Sequence, residues 1–138
     1  MRRSVLLQRE LVDRMAAAPG GRQWGPLGAK LRLLYRVELL RSVPPELFWP
    51  RPRVDSAVAR LELADERPGA AEVAAYDALV DRLFQARRKT LASRLAALLG
   101  DRQGAEAVLA GLGVDPRARP ETLGVEQLVA LAQAVGRR

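Results

Sequence analysis

The residues best suited to chemistry lie in a stretch where four prolines fall within residues 44–52. Because proline fixes φ and lacks a backbone donor, this stretch is predicted to be a stiff connection, neither helix nor central strand. Phe48 and Trp49 lie at its middle, and Arg51 and Arg53 follow at alternate positions. An aromatic ring and guanidinium groups on a rigid loop suit the stacking of a nucleobase beside a phosphate. The alternative is that the two aromatic rings cover the edge of a core.

A second candidate site is the run of three cations Arg87, Arg88 and Lys89, which falls between two predicted helices. Burying even one unpaired charge costs several kcal/mol, so these side chains are predicted to face solvent or an anionic ligand. The alternative is a solvated helix junction with no ligand, since charge runs often only face water.

Composition favours a polyanionic partner. The 138 residues have a formal net charge of +7, and 12 basic against 6 acidic residues lie in 1–63, compared with 11 against 10 in 64–138. This suggests nucleic acid as the partner, although the scarcity of lysine leaves genomic base composition as an alternative source of the arginines.

The absence of histidine and cysteine removes the commonest metal ligands and the commonest general base, so no metal is expected. No apolar run is long enough for a membrane span, and a soluble cytoplasmic protein is expected.

The first half is predicted to alternate strands and helices. The short apolar run 4–7 indicates a buried strand, 8–18 and 26–35 indicate helices, and 36–43 and 54–63 indicate strands on either side of the proline-rich loop. A buried strand needs neighbours on both edges, so we expect a segment upstream of it to be missing. The alternative is a frayed leader before an independent helical domain. The first helix is predicted to place three residues on its apolar face: Leu11, Met15 and Ala18.

The second half is predicted to be a small helical bundle. Residues 64–69 are charged and turn-prone, which suggests a domain boundary. Apolar stripes at helical spacing follow in 72–86, 89–99, 104–112 and 125–135, and they are typical of a packed core. Gly113 follows the third stripe, where a helix C-cap is expected.

Several of these motifs together resemble one family. Val43-Pro44-Pro45, then Phe48, then Arg53-Val54-Asp55-Ser56, then Arg87-Arg88-Lys89-Thr90-Leu91 and Gly113-Val114-Asp115-Pro116 occur in the order found in the rRNA adenine N6-dimethyltransferases. The similarity covers essentially all of the chain. It departs from the family at Arg51, where a proline is usual.

The resemblance implies a fold and an activity. The fold would be an α/β remnant followed by an all-α part, with residues 1–63 supplying the last strands and helices of a doubly wound methyltransferase sheet. Residues 64–138 would form a small C-terminal helical domain that binds rRNA. The activity would be S-adenosylmethionine-dependent dimethylation of adjacent adenosines near the 3′ end of small-subunit rRNA, in the small ribosomal subunit. Methyltransferases of large-subunit rRNA that confer macrolide resistance are a less favoured relative.

The resemblance also implies residue roles. Phe48 would stack on the flipped-out adenine, while Trp49 would cover the sheet edge or contact neighbouring RNA. By the same resemblance, phosphates would be held by Arg87, Arg88 and Lys89. The positive charge of the loop itself predicts the same role for Arg51 and Arg53. The glycine-rich turn that approaches S-adenosylmethionine has no counterpart in the sequence, so the isolated chain is expected to be inactive. The alternative function is a non-catalytic rRNA-binding module.

Overall fold

The computed structural model describes residues 2–138, which form a three-stranded sheet and six α-helices. The strands are β1 (Arg2–Gln8), β2 (Tyr35–Val43) and β3 (Ser56–Leu63). β3 lies between the other two and pairs antiparallel with both. The two strands predicted on either side of the proline-rich loop are therefore confirmed, and both ends of that loop are anchored in neighbouring strands.

β1 forms where a strand was predicted, but it is not buried. Leu6 is 50% exposed, and Val5 and Leu7 are half-buried. Within residues 2–138 the one strand neighbour of β1 is β3, so its outer edge has no strand partner there. The prediction of a buried strand over residues 4–7 is therefore wrong for the described chain. An apolar run shows that a segment is hydrophobic. It does not show which other residues pack on that segment, and burial depends on those residues.

One face of the sheet is covered by α1 (Arg9–Met15), which is shorter than predicted. Val12 is fully buried against Ala57 and Ala59 of β3, whose small side chains leave room for it. Leu11, predicted for the buried face of this helix, is instead 37% exposed. Met15, predicted for the same face, is buried at 6% exposure, so the buried face of this short helix contains Val12 and Met15 and leaves Leu11 at its edge.

Five further helices pack around one apolar core that contains leucines, alanines and aromatic residues. The four helical segments predicted in the second half are confirmed, with boundaries shifted by one or two residues. Gly113 has φ +69°, as its predicted position after a helix requires, and Gly100 ends another helix in the same left-handed conformation. The helices are α2 (Pro26–Leu34), α3 (Ala70–Phe84), α4 (Leu91–Leu99), α5 (Arg102–Gly111) and α6 (Val125–Gly136).

The largest core residue is Trp24, which precedes α2 and is fully buried. Its indole Nε1 donates a hydrogen bond to the carbonyl oxygen of Leu123, 3.0 Å away. On the other side of the core, the Tyr76 hydroxyl donates to the carbonyl oxygen of Ala29 at 2.8 Å, and burial raises the pKa of Tyr76, which keeps this donor protonated. The apolar core thus joins α2 to the bundle. The division into domains 1–63 and 64–138 remains a prediction.

Replacing Trp24 by alanine should lower the free energy of unfolding by about 3–5 kcal/mol, because a large buried side chain and its hydrogen bond are both lost. Trp49→Ala is the matched control. Since Trp49 is 95% exposed, its loss should change stability by less than about 0.5 kcal/mol. Urea unfolding followed by circular dichroism measures both. Equal destabilisation by the two substitutions would contradict the packing described here.

Candidate nucleic-acid interface

The proline-rich loop, residues 44–55, is fixed at its base and across its width. Its first residues form a 3-10 turn, Pro45–Leu47, in which the Phe48 N–H donates to the Pro45 carbonyl at 3.1 Å. The Arg51 guanidinium contacts the Glu46 carboxylate at 2.7 Å and closes the middle of the loop. At its end, the Arg9 N–H of α1 donates to the Asp55 carbonyl at 2.8 Å. The predicted stiff connection is therefore an ordered loop.

The two aromatic residues of this loop differ in environment. Phe48 is half-buried, with an extended backbone of φ −109° and ψ 150°. Trp49 is 95% exposed. The expectation that Trp49 covers the sheet edge is therefore wrong, as is the alternative in which both rings cover the edge of a core. Successive side chains on an extended backbone point to opposite sides, so only one ring of the pair lies against the protein.

The two arginines of the loop also differ. Arg51 is paired with Glu46, but both side chains are more than half exposed, and such a surface pair contributes at most about 1 kcal/mol. A phosphate could therefore replace the carboxylate at little cost. Arg53 is exposed and has no side-chain partner among residues 2–138. It lines a shallow cleft with Glu10 and Asp13 of α1, so its surroundings contain both signs of charge.

The cationic run between α3 and α4 is not uniform. Arg87 donates to the backbone carbonyl of Trp24, and its guanidinium carbon lies 5.5 Å from the centroid of the Phe84 ring. Arg88 and Lys89 are exposed and have no side-chain partner in the part of the chain that the structure describes. The sequence predicted one role for all three residues, whereas the structure gives Arg87 a contact with the core that its two neighbours lack.

The amide groups at the start of α4 are already used within the protein. The N–H groups of Leu91 and Ala92 donate to the carbonyls of Ala118 and Pro116, at 2.8 and 3.0 Å. The Thr90 hydroxyl accepts from the Ser93 N–H at 3.2 Å and caps the helix. These three amides are not available to an anion, so a phosphate here would be bound by side chains.

The same backbone hydrogen bonds place two further arginines beside the run. Arg117 and Arg119 flank Ala118, whose carbonyl contacts the start of α4, and both are exposed without a side-chain partner in residues 2–138. Sequence reasoning missed them, because they lie about thirty positions from the run along the chain and only the tertiary structure shows the proximity. We name as the cationic cluster the four residues Arg88, Lys89, Arg117 and Arg119.

A second cleft, of about 380 Å³, lies at the start of α2. Arg14, Arg22 and Arg87 line it, with Phe84 as an apolar wall. Arg14 is paired with Glu10 at 2.8 Å, whereas Arg22 has no side-chain partner in the described chain. Sequence reasoning missed Arg22 because it lies in a glycine-rich loop with no charge run around it.

The residues that the structure describes do not fit S-adenosylmethionine, the methyl donor that the resemblance implies. β1 passes into α1 at Arg9 with no glycine between them, and the strand pairs are antiparallel. The glycines with positive φ lie between α1 and α2 or end a helix, so none forms a turn after a strand.

Among residues 2–138 there is no group of acidic side chains suited to a metal ion and no helix long and apolar enough to cross a membrane.

Comparison with known proteins assigns the family. A family model described as "Ribosomal RNA adenine dimethylase" matches residues 2–135. The chain belongs to this ribosomal RNA adenine dimethylase family. It is 43% identical over 98% of its length to "Ribosomal RNA small subunit methyltransferase A" of Nitratidesulfovibrio vulgaris and 44% identical over 94% to that of Chromohalobacter salexigens. It covers 50% and 45% of those two proteins, so it spans about half the length of the curated relatives it matches.

Solved structures show the same fold. A dimethyladenosine transferase from Plasmodium falciparum matches 99% of this dimethylase-family chain with a TM-score of 0.82 at 20% identity, and the match covers 57% of that protein. The 23S rRNA methyltransferase ErmE matches 98% of the chain with a TM-score of 0.68 at 25% identity, and 55% of ErmE is covered. The sheet and helices described above are therefore consistent with part of an α/β methyltransferase fold.

Arg87→Ala should destabilise the protein by about 1–3 kcal/mol, because it removes a charged hydrogen bond to a backbone carbonyl and a contact with the Phe84 ring. Arg88→Ala, one position along and without such contacts, should change stability by less than about 0.5 kcal/mol. Chemical denaturation of both variants gives the comparison. If Arg87→Ala were as stable as Arg88→Ala, Arg87 would have no structural role.

Proposed function

We propose that this chain is the substrate-side and rRNA-binding part of an S-adenosylmethionine-dependent rRNA adenine N6-dimethyltransferase. The substrate would be the adjacent adenosines near the 3′ end of small-subunit rRNA. The observation that most supports this is the ordered proline-rich loop, which holds Phe48 at a fixed position between two strands. Family membership and the small-subunit enzymes among the relatives favour the same substrate.

In this proposal Phe48 stacks on the target adenine. The exocyclic amino group of an adenine inside a helix cannot be reached by an enzyme, so the base must leave the stack and be held elsewhere. A half-buried ring on an ordered loop can hold it, because the exposed part of the ring is free to meet the base. Positioning of the amino group then lowers the barrier, and the absence of histidine from the chain is no obstacle.

The cationic cluster would bind the phosphate backbone. Four exposed cations without partners lie on two segments that the hydrogen bonds at the start of α4 hold together. Cations of this kind supply affinity and register for a nucleic acid and do not read its sequence. Arg51 and Arg53 would add contacts near the target base, once Arg51 exchanges its carboxylate partner for a phosphate.

The methyl donor would be bound by residues other than those described here, since none of them fits it. The alternative is a non-catalytic rRNA-binding module. The genomic sequence upstream of Met1 separates the two. An in-frame strand followed by a glycine-rich turn supports the enzyme, and its absence supports the module.

Replacing Arg88 and Lys89 together by alanine should reduce the salt dependence of rRNA binding. Each phosphate contact contributes roughly 0.7–0.9 to the slope of log K against log salt concentration, so the pair should remove about 1.5 units. Adding Arg117→Ala and Arg119→Ala should remove a similar amount again. Fluorescence anisotropy of a labelled fragment of the small-subunit rRNA 3′ end gives the slopes.

A double variant with Arg67→Ala and Arg137→Ala is the matched control, because it removes two exposed arginines outside the cluster. Its slope should equal that of the unmodified chain. If all variants reduced the slope equally, binding would depend on net charge alone and the cluster would not be the site.

Phe48→Ala in the complete enzyme should lower adenine turnover by about one to two orders of magnitude. The reason is that stacking of a base on an aromatic ring contributes about 1–3 kcal/mol. Phe48→Tyr, which keeps the ring, should retain most of the turnover. Methyl transfer to rRNA measures the effect, and full activity of Phe48→Ala would remove Phe48 from the proposal.

A further inference from the structure

Among residues 2–138, Trp49 is the most exposed large apolar side chain, at 95%. A folded protein ordinarily buries most of a tryptophan, because its ring offers more apolar surface than almost any other side chain. Leu47, two positions earlier, is 70% exposed. The described residues therefore leave the Trp49 ring almost wholly uncovered. Tryptophan is enriched at binding surfaces, because its ring offers a large apolar area to a partner.

The backbone that carries the ring is constrained despite the exposure of the side chain. Four prolines lie in the loop, and a 3-10 turn precedes the ring. A loop backbone that is ordered before binding loses little conformational entropy when a ligand packs against it. The position from which the Trp49 side chain extends is therefore prearranged for a contact.

The direction of the ring excludes one role. Phe48 and Trp49 are consecutive, and the backbone at Phe48 is extended, so their side chains leave the chain on opposite sides. The two rings cannot enclose a single base between them. If Phe48 stacks on the target adenine, Trp49 must meet a different group.

We propose that Trp49 stacks on an unpaired nucleobase next to the target adenine in the rRNA strand. This inference rests on the proposed function, and it adds a second aromatic contact and names the nucleotide that makes it. Residues 1–63, which include the loop, hold twice as many basic as acidic residues, and Arg51 and Arg53 follow the ring closely enough to neutralise the phosphates of the same strand. Stacking on tryptophan tolerates any base, so Trp49 would hold the strand in register without selecting its sequence.

Intrinsic fluorescence tests this, because the chain has two tryptophans and the other, Trp24, is fully buried. Acrylamide should quench Trp49 in the free chain, whereas Trp24 should be shielded. The unmodified 138-residue chain is titrated with a single-stranded RNA of eight nucleotides that contains one central adenine. Base stacking should then quench the emission of Trp49 and protect it from acrylamide.

Substitutions identify the contact. Trp49→Ala should weaken binding by about 5- to 150-fold, as expected for the loss of one base stack, and Trp49→Tyr should recover most of that loss. Leu47→Ala, a matched exposed position on the same loop, should change affinity by less than about twofold. An RNA whose two bases next to the adenine are abasic should bind Trp49→Ala and the unmodified chain equally. Melting temperatures confirm that the variants remain folded.

The outcomes separate the inference from the proposed function. Anisotropy can show that RNA binds while Trp49 emission stays unchanged and Trp49→Ala binds as tightly as the unmodified chain. That result overturns the inference and leaves the proposed function in place. Equal losses for Trp49→Ala and Leu47→Ala also overturn the inference, since they indicate a general apolar contact. Protection of Trp49 that increases with protein concentration in the absence of RNA indicates self-association and overturns it as well. No binding of any RNA at low salt overturns both.

Discussion

The burial of Trp24 is the interaction on which the arrangement of this chain depends. Its indole fills the core between α2 and the bundle, its Nε1 donates to the Leu123 carbonyl, and its own carbonyl accepts from Arg87. A single residue therefore joins the loop before α2, the turn before α4 and the segment before α6. The bond from Nε1 to the Leu123 carbonyl is buried, and losing its partner would leave a costly unsatisfied group.

This contact also divides the cations into two kinds. Arg87 is directed inward to the Trp24 carbonyl, and its neighbours Arg88 and Lys89 are consequently left facing outward. The carbonyls of Pro116 and Ala118 accept hydrogen bonds from the first amides of α4, and this places the backbone that carries two more arginines beside the run. The positive surface is thus a product of backbone hydrogen bonds, and the local charge density of the sequence accounts for only part of it.

The sequence predicted the structural features that depend on the local pattern of residues. Helices with apolar stripes, the strands around the proline-rich loop and the glycine after α5 all follow from spacing and from the conformational limits of proline and glycine. Features set by tertiary contacts were not predictable. The exposure of Trp49, the different role of Arg87 and the pairing of residues 116–118 with the start of α4 depend on tertiary contacts. No window of neighbouring residues contains that information.

The outer edge of β1 has a consequence for the behaviour of the chain in solution. A strand edge without a partner presents free N–H and C=O groups that can pair with another molecule, and the half-exposed Leu6 adds apolar surface beside it. The chain carries a formal net charge of +7, so two copies repel each other as such edges approach. Salt weakens that repulsion, because the screening length falls from about 10 Å at 0.1 M to about 3 Å at 1 M. The colloidal stability of this chain should therefore be greatest at low ionic strength, under the same conditions in which a polyanion binds it most tightly.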